Sequence, residues 1–274
     1  MNKKTYCKVL TIAGSDSGGG AGIQADIKTI EAHGCFATSA ITAITVQNTL
    51  GVQAVYPVDA EVVVQQAKAV LEDIGADAIK IGMLCHAEIV RRVSELLATY
   101  SVRNVVLDTV LASTSGRKML DDEGIDVLRE VLIPSVRVIT PNLPEAEILL
   151  GQSIPNDEFR SNDRSLGNYA KRLSFGRKVS VYLKGGHLKG SKLCDWFYNA
   201  ETDELIKMES DRIDTVNTHG TGCTLSSALA AGLAQGRSLN EAVNDAHTYV
   251  RQAIQSGADF SIGEGHGPLN HFFR

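Results

Sequence analysis

Residues 217–236 read NTHGTGCTLSSALAAGLAQG, and the groups able to do chemistry stand at the opening of that stretch. Gly220, Thr221 and Gly222 run into an alanine-rich amphipathic segment, so their backbone N–H groups can converge on the positive end of a helix, where an anion is held. Taken alone, the glycines describe an ordinary turn before a helix equally well. The pattern is not a Walker A loop, because GxxxxGK[ST] occurs nowhere in the chain. Cys223 stands at the junction. A free cysteine is most often buried packing, whereas a helix N-terminus lowers a thiol pKa and a bound phosphate raises it again.

A second glycine-rich stretch, TIAGSDSGGGAGIQAD, lies near the start in strand-to-loop-to-helix order, and residues 20–25, GAGIQA, satisfy the GxGxxA form of the dinucleotide fingerprint. That motif also asks for an acid about twenty positions on, at the end of the next strand. Here that region reads ITAITVQNTL and carries none, which counts against NAD. Asp16 and Ser17 nevertheless sit at the carboxyl end of the first strand, where open parallel sheets collect ligands, and Asp26 follows about a turn into the next element.

The elements that must position these groups alternate regularly. Short β-rich runs (KVLTIAG, FATSAITAITVQ, AIKIG, NVVLDTV, VRVITPN, VSVYLKGG) are separated by helical patterns such as AGIQADIKTIEAHG, DAEVVVQQAKAVLEDIG, AEIVRRVSELLATY and a helix near 162–174. NVVLDTV and VRVIT are nearly continuous apolar runs, as strands covered by helices on both faces require. The expectation is a three-layer α/β/α doubly wound, mostly parallel sheet. Asp59 is placed to cap one helix, and Gly34, Gly75 and Gly151 to end others. Between 191 and 210 two short runs flank a polar turn, which predicts an antiparallel edge hairpin over 194–208, a strand able to pair with a second copy as a homodimer. With no linker, charge block or repeat, one domain over 1–274 is expected.

Bulk properties exclude several classes. With 43% hydrophobic residues over 274 the chain can bury a substantial core, and 27 basic against 32 acidic residues, with no basic run, argue against nucleic acid or anionic membrane as partners. No apolar window of about eighteen residues suggests a membrane span. The five cysteines are odd in number and lack CxxC spacing, which argues against a disulfide framework and a zinc site and for the cytoplasm.

Read together, AGSDSGGGAGIQADIKT, TAITVQNTLGV, KIGML, NVVLDTV, ITPNLPEAEILLG, YLKGGHL and NTHGTGCTLSSALAAGLA resemble the hydroxymethylpyrimidine and phosphomethylpyrimidine kinases of thiamine biosynthesis, in the ribokinase-like superfamily; the blocks run in order from about residue 8 to residue 236. The resemblance implies transfer of the γ-phosphoryl of ATP to a pyrimidine carbinol and then to the monophosphate, with Mg2+. It implies an anion hole from Gly220, Thr221, Gly222 and Cys223, with Cys223 where many relatives of the wider superfamily carry an aspartate base. Gln47 matches the pyrimidine reader, since an amide donates and accepts side by side; Ala21, Met83 and Val110 match apolar positions around the ring, and Gly14 and Asp26 polar ones. On the nucleotide side it implies Asp108, which as a buried strand-end carboxylate needs a cation or donor nearby, with Asn142 and with Lys184 facing the ATP phosphates. Asp108 and Glu145 would hold the metal, through water where necessary. Family members often carry a lysine after the DTV block, where this chain has LASTSG with Ser113 and Thr114, so nucleotide contacts from that loop are in question. His187 and His219 read as structural or rim residues. A thiol at 223 suits a pocket that accepts both an alcohol and a phosphate, because a carboxylate there would repel the second acceptor. The rival readings are a pyridoxal kinase of the same fold, possessing either that activity alone or both, and a non-catalytic pyrimidine or nucleotide binder.

Overall fold

The computed structural model describes residues 4–112, 118–154, 163–185 and 192–273. Eight strands form one sheet: β1 (Lys8–Ala13), β2 (Phe36–Ile41), β5 (Ala78–Ile81), β6 (Val105–Leu107), β7 (Val138–Ile139), β8 (Ser180–Leu183), β9 (Lys192–Asn199) and β10 (Glu204–Asp211), in the order β10-β9-β8-β7-β6-β5-β1-β2. Strands β8 to β2 in that order are parallel, and β9 and β10 add the expected antiparallel hairpin at the edge.

Alternation along the strands divides the interior into two cores, as the side-chain period of two requires. Leu10, Ile12, Ile79, Ile81, Val105 and Leu107 pack beneath α2 (Ala60–Asp73), α3 (Ala87–Tyr100) and α4 (Asp122–Val127), with α5 (Leu143–Leu150) and α6 (Asp163–Leu173) on the same side. Val9, Ala78, Val106 and Val138 face α7 (Thr221–Ala234) and α8 (Leu239–Gly257), with α1 (Gly22–Ala32) packed on α7. Asp59 caps α2 by accepting from the Glu61 amide at 2.9 Å, and Gly34, Gly75 and Gly151 take up the left-handed conformation at helix ends.

Two readings of the sequence need correction. The run FATSAITAITVQ is two strands. Thr42 donates its hydroxyl to the Met83 carbonyl at 2.6 Å, and beyond it β3 (Ala43–Asn48) pairs antiparallel with β4 (Gly51–Pro57) in a separate two-stranded sheet. An alternating run looks the same whether its strand stays in one sheet or changes sheets. Cys7 and Cys35, 28 residues apart, are joined as a disulfide with Cα atoms 4.8 Å apart. Parallel pairing of Lys8 with Phe36 brings them side by side, a neighbourhood that counting cysteines does not reveal.

A buried charge pair interrupts the second core. Thr11 and Lys80 are register partners on β1 and β5, on the face where α1 and α7 pack. Between them lies the fully buried carboxylate of Asp26. It accepts from Lys80 Nζ at 2.8 Å on both oxygens, from Thr11 Oγ1 at 2.6 Å and from Ser227 Oγ at 2.7 Å, so two strands and two helices share one charge pair. Removing one member strands the other in a dry core. Lys80→Met is expected to lower the unfolding free energy by about 3–5 kcal/mol, read as a fall in the urea midpoint. The double variant Lys80→Met/Asp26→Asn, which removes both charges, is expected to recover at least half of that loss.

Candidate active site

The chain runs outward from β1 to β2 and then resumes on the other side of β1 with β5, so the winding direction reverses between β1 and β5. A crevice at the carboxyl ends of the strands is the expected ligand site at such a reversal. A cleft of about 1040 Å3 occupies it, lined by Gly14, Ala21, Gln47, Met83, Val110, Asp108, Asn142, Glu145, Lys184 and Gly220 to Cys223.

The start of α7 forms its floor. Gly220 has φ +87°, and a Cβ there would lie 1.8 Å from the Gly20 carbonyl oxygen, so the two glycine-rich loops touch and only glycine permits the contact. Thr221 donates its hydroxyl to the Thr218 carbonyl at 2.7 Å, and the Thr224 amide reaches the Gly220 carbonyl at 2.9 Å. The amides of Gly222 and Cys223 have no acceptor among the described residues, which leaves two donors at the positive helix end. The first loop is arranged differently. Its amides at Gly18, Gly20 and Ala21 donate to the Asp16 carboxylate at 2.8, 3.1 and 2.8 Å. The donors that a dinucleotide pyrophosphate would use already hold an internal anion, and this removes the case for NAD.

Beside the open amides lies a charge cluster. Lys184 Nζ donates to Asp108 Oδ1 at 3.0 Å and stands 4.0 Å from Glu145 Oε2; Thr140 also donates to Asp108 Oδ1, at 2.9 Å. A Cβ on Gly222 would approach Asp108 Oδ2 to 3.2 Å and Lys184 Nζ to 3.3 Å, so the cluster adjoins the helix start. Burial pushes the Asp108 carboxyl up, but the charges of Lys184 and Lys80 outweigh it and hold the pKa below the usual range. One ammonium does not suffice for two buried carboxylates. Burial raises Glu145 to about 7 against the pull of Lys184, with the Asp108 charge adding to the rise. Burial likewise raises the Cys223 thiol to about 11, overriding the nearby Lys80 charge and the Gly22 amide. The helix terminus therefore does not make this cysteine a thiolate. Asn142 and Glu145 form a capping box at the start of α5, in which the Glu145 amide donates to Asn142 Oδ1 at 2.9 Å and the Asn142 amide to Glu145 Oε2 at 2.8 Å.

The family described as Phosphomethylpyrimidine kinase matches residues 16–270. A hydroxymethylpyrimidine/phosphomethylpyrimidine kinase of Rhizobium meliloti is 45% identical over 97% of this chain and 97% of its own. This chain belongs to the phosphomethylpyrimidine kinase family. Among solved structures it is similar to a phosphomethylpyrimidine kinase of Clostridium difficile (39% identity, TM-score 0.77, 90% of this chain and 99% of the other). It is also similar to a pyridoxal kinase of Staphylococcus aureus in complex with AMP-PCP and pyridoxal (32% identity, TM-score 0.85, 98% and 94%). The fold is that of the ribokinase-like kinases, and the chain is an enzyme of this kinase family, which uses ATP.

Not every residue expected at the site of this family member lies in the cleft. Asp26 is absent from the lining because its carboxylate is spent on Lys80, Thr11 and Ser227 beneath the floor. His219, expected at a rim, lies between Asp16 and Gln47, with Nε2 2.9 Å from Asp16 Oδ2 and 3.1 Å from Gln47 Nε2. Ser113, Thr114 and His187 fall outside the described residues. Sequence reasoning missed Lys80, although a lysine inside AIKI, on a strand buried on both faces, signals a partner carboxylate. It also missed the C-terminal segment, where Gly267 accepts from the His219 amide at 3.0 Å and the His266 amide donates to the Thr49 carbonyl at 3.0 Å. A third omission is Asp195 in the edge hairpin, which accepts from the Gly185 amide at 2.7 Å and from Tyr182 Oη at 2.8 Å and so braces the loop carrying Lys184.

Glu145 links the cleft to stability. In the unfolded chain it ionises near 4.5, and in the folded chain it keeps its proton to about 7. The folded state binds the extra proton between those values, so the contribution of this group is full below 4.5 and is lost as pH rises to about 7. Glu145→Gln is expected to remove that loss. Without divalent metal, the variant gains stability relative to wild type as pH rises through this window, as measured by urea denaturation at a series of pH values.

Proposed function

We propose that this chain phosphorylates 4-amino-5-hydroxymethyl-2-methylpyrimidine to the monophosphate and the monophosphate to the diphosphate, for thiamine biosynthesis. The observation that carries the reading is one cleft with the open amides of Gly222 and Cys223 between the Asp108–Lys184 pair on one side and Gln47, Ala21, Met83 and Val110 on the other. The amides would hold the transferring phosphoryl group where charge develops, with Gly220 and Thr221 shaping the turn that aims them. Lys184 and Asn142 would face the nucleotide phosphates. Asp108 and Glu145 would hold Mg2+, which takes one or two carboxylates and keeps several waters; when bound, the ion would neutralise phosphate charge and balance the second buried carboxylate that Lys184 alone does not.

In the first step the carbinol oxygen attacks Pγ, the bond from Pγ to the β-bridging oxygen breaks, and ADP leaves. The transition state of such transfers is loose, so positioning and charge stabilisation carry most of the acceleration and little is asked of a base. The carbinol proton can pass to the transferred phosphoryl oxygens. In the second step the acceptor is a phosphate, largely dianionic above its second pKa of about 6, and an uncharged Cys223 leaves it room without repulsion. The thiol pKa of about 11 supports this account.

Three outcomes are expected. Mg-ATP with hydroxymethylpyrimidine yields mono- and diphosphate by mass spectrometry; product from pyridoxal and none from the pyrimidine would favour the vitamer reading that the Staphylococcus aureus relative suggests. Cys223→Asp slows the monophosphate step more than the alcohol step, by at least about tenfold, equivalent to about 1.4 kcal/mol of added repulsion. In Lys184→Met the KM for ATP rises roughly tenfold or more, in steady-state assays at saturating pyrimidine.

A further inference from the structure

We propose that His219 is a positioning residue that sets the orientation of the Gln47 amide and thereby selects a ring presenting an acceptor nitrogen beside an exocyclic amine. The inference rests on the pyrimidine kinase reading and adds the origin of its ring selectivity.

A single proton fixes the orientation of the amide. His219 Nε2 lies 2.9 Å from Asp16 Oδ2 and 3.1 Å from the Gln47 amide. Asp16 is 2% exposed and accepts from three backbone amides of the first glycine loop. Burial pushes its carboxyl up, but the His219 bond and the amides of Ala21 and Gly18 prevail and keep the pKa low. An ionised carboxylate only accepts, so Nε2 must carry hydrogen and donate to it. A ring nitrogen carrying hydrogen has no lone pair to offer an amide –NH2, so the Gln47 atom facing it is Oε1, and –NH2 turns toward the cleft. The result is the same for a neutral and a protonated imidazole.

The imidazole is held in place from several sides. A Cβ on Gly20 would meet His219 Cδ2 at 2.6 Å and Pro268 Cβ at 3.1 Å, so the ring occupies space that only a glycine leaves, beside the C-terminal segment. The His219 amide donates to Gly267 at 3.0 Å. Gln47 sits at a register shift of the β3–β4 ladder, between Val46 and Gln47, and such bulges re-aim a side chain. Its main chain is fixed by Ser17, which donates Oγ to the Gln47 carbonyl at 2.7 Å and accepts from its amide at 2.9 Å. Backbone and ring are both anchored, and the remaining freedom of the Gln47 amide is its half-turn, which Nε2–H of His219 decides: the one hydrogen is shared between Asp16 Oδ2 and Gln47 Oε1 as a three-centre bond, whereas it would oppose an –NH2 turned toward it. The exposed –NH2 then donates to a ring nitrogen, and the second lone pair of Oε1 accepts from a neighbouring exocyclic amine. A 4-oxo ring, whose nitrogen carries hydrogen, meets donor with donor and is rejected, as buried sites reject ligands that leave polar groups unpaired.

The test compares kcat/KM for the 4-amino pyrimidine and its 4-oxo analogue in wild type, His219→Ala, His219→Gln and Gln47→Glu, with the KM for ATP as a control. In His219→Ala the amino-over-oxo ratio falls roughly tenfold or more through the pyrimidine KM, while the KM for ATP holds. His219→Gln, whose amide can again donate to Asp16 and Gln47, restores most of the ratio. Gln47→Glu leaves His219 in place but replaces the donor facing the ring nitrogen with an acceptor, so each ring keeps one matched and one opposed pair and the amino-over-oxo ratio falls toward parity. An unchanged ratio in His219→Ala, or an undiminished amino preference in Gln47→Glu, overturns the proposal while the kinase reading stands. Wild type that turns over neither pyrimidine overturns both.

Discussion

The Asp26 carboxylate, enclosed between β1, β5, α1 and α7, is the constraint on which the catalytic end of the molecule depends. It collects Lys80, Thr11 and Ser227 within the second core, among the apolar side chains of α1, α7 and α8. A charge pair in such a place is costly unless each hydrogen-bonding site is filled, so its geometry tolerates little drift. Ser227 lies one turn beyond Cys223 on α7, and the pair therefore fixes how the helix start meets the first glycine loop.

Above that anchor the two glycine-rich loops have divided the work. The first folds around its own carboxylate and becomes a rigid wall, with Asp16 supplying internally what a ligand phosphate supplies in a dinucleotide site. The second keeps its donors open at Gly222 and Cys223. Gly20 and Gly220 are in contact, so the first loop, which carries Ala21, abuts the start of α7. The C-terminal segment and the β3–β4 sheet add the remaining sides through His219, Thr49 and Gln47.

Charge is distributed unevenly along the cleft for a physical reason. Lys184 satisfies Asp108 but only partly offsets Glu145, whose carboxyl burial therefore holds above its ordinary pKa. Beside that cluster Cys223 is kept neutral by burial although a lysine lies near, since desolvation of a thiolate outweighs a cation already committed to Asp26 and influencing Asp108.

The sequence by itself determined the layering, the edge hairpin and the glycine-led helix start, because apolar period, turn residues and caps are local and act within a few residues of one another. It also marked Asp108 as a carboxylate in need of a partner, which Lys184 supplies from 76 residues away. Only the tertiary structure decided that Asp26 lies beneath the floor instead of beside the ring, that Cys7 meets Cys35, that TAITVQ leaves the main sheet, and that His219 joins Asp16 to Gln47. Each of these depends on strand order or on contacts between residues from 28 to 203 positions apart, and side-chain spacing along a chain carries no information about which distant strand or loop will become its neighbour.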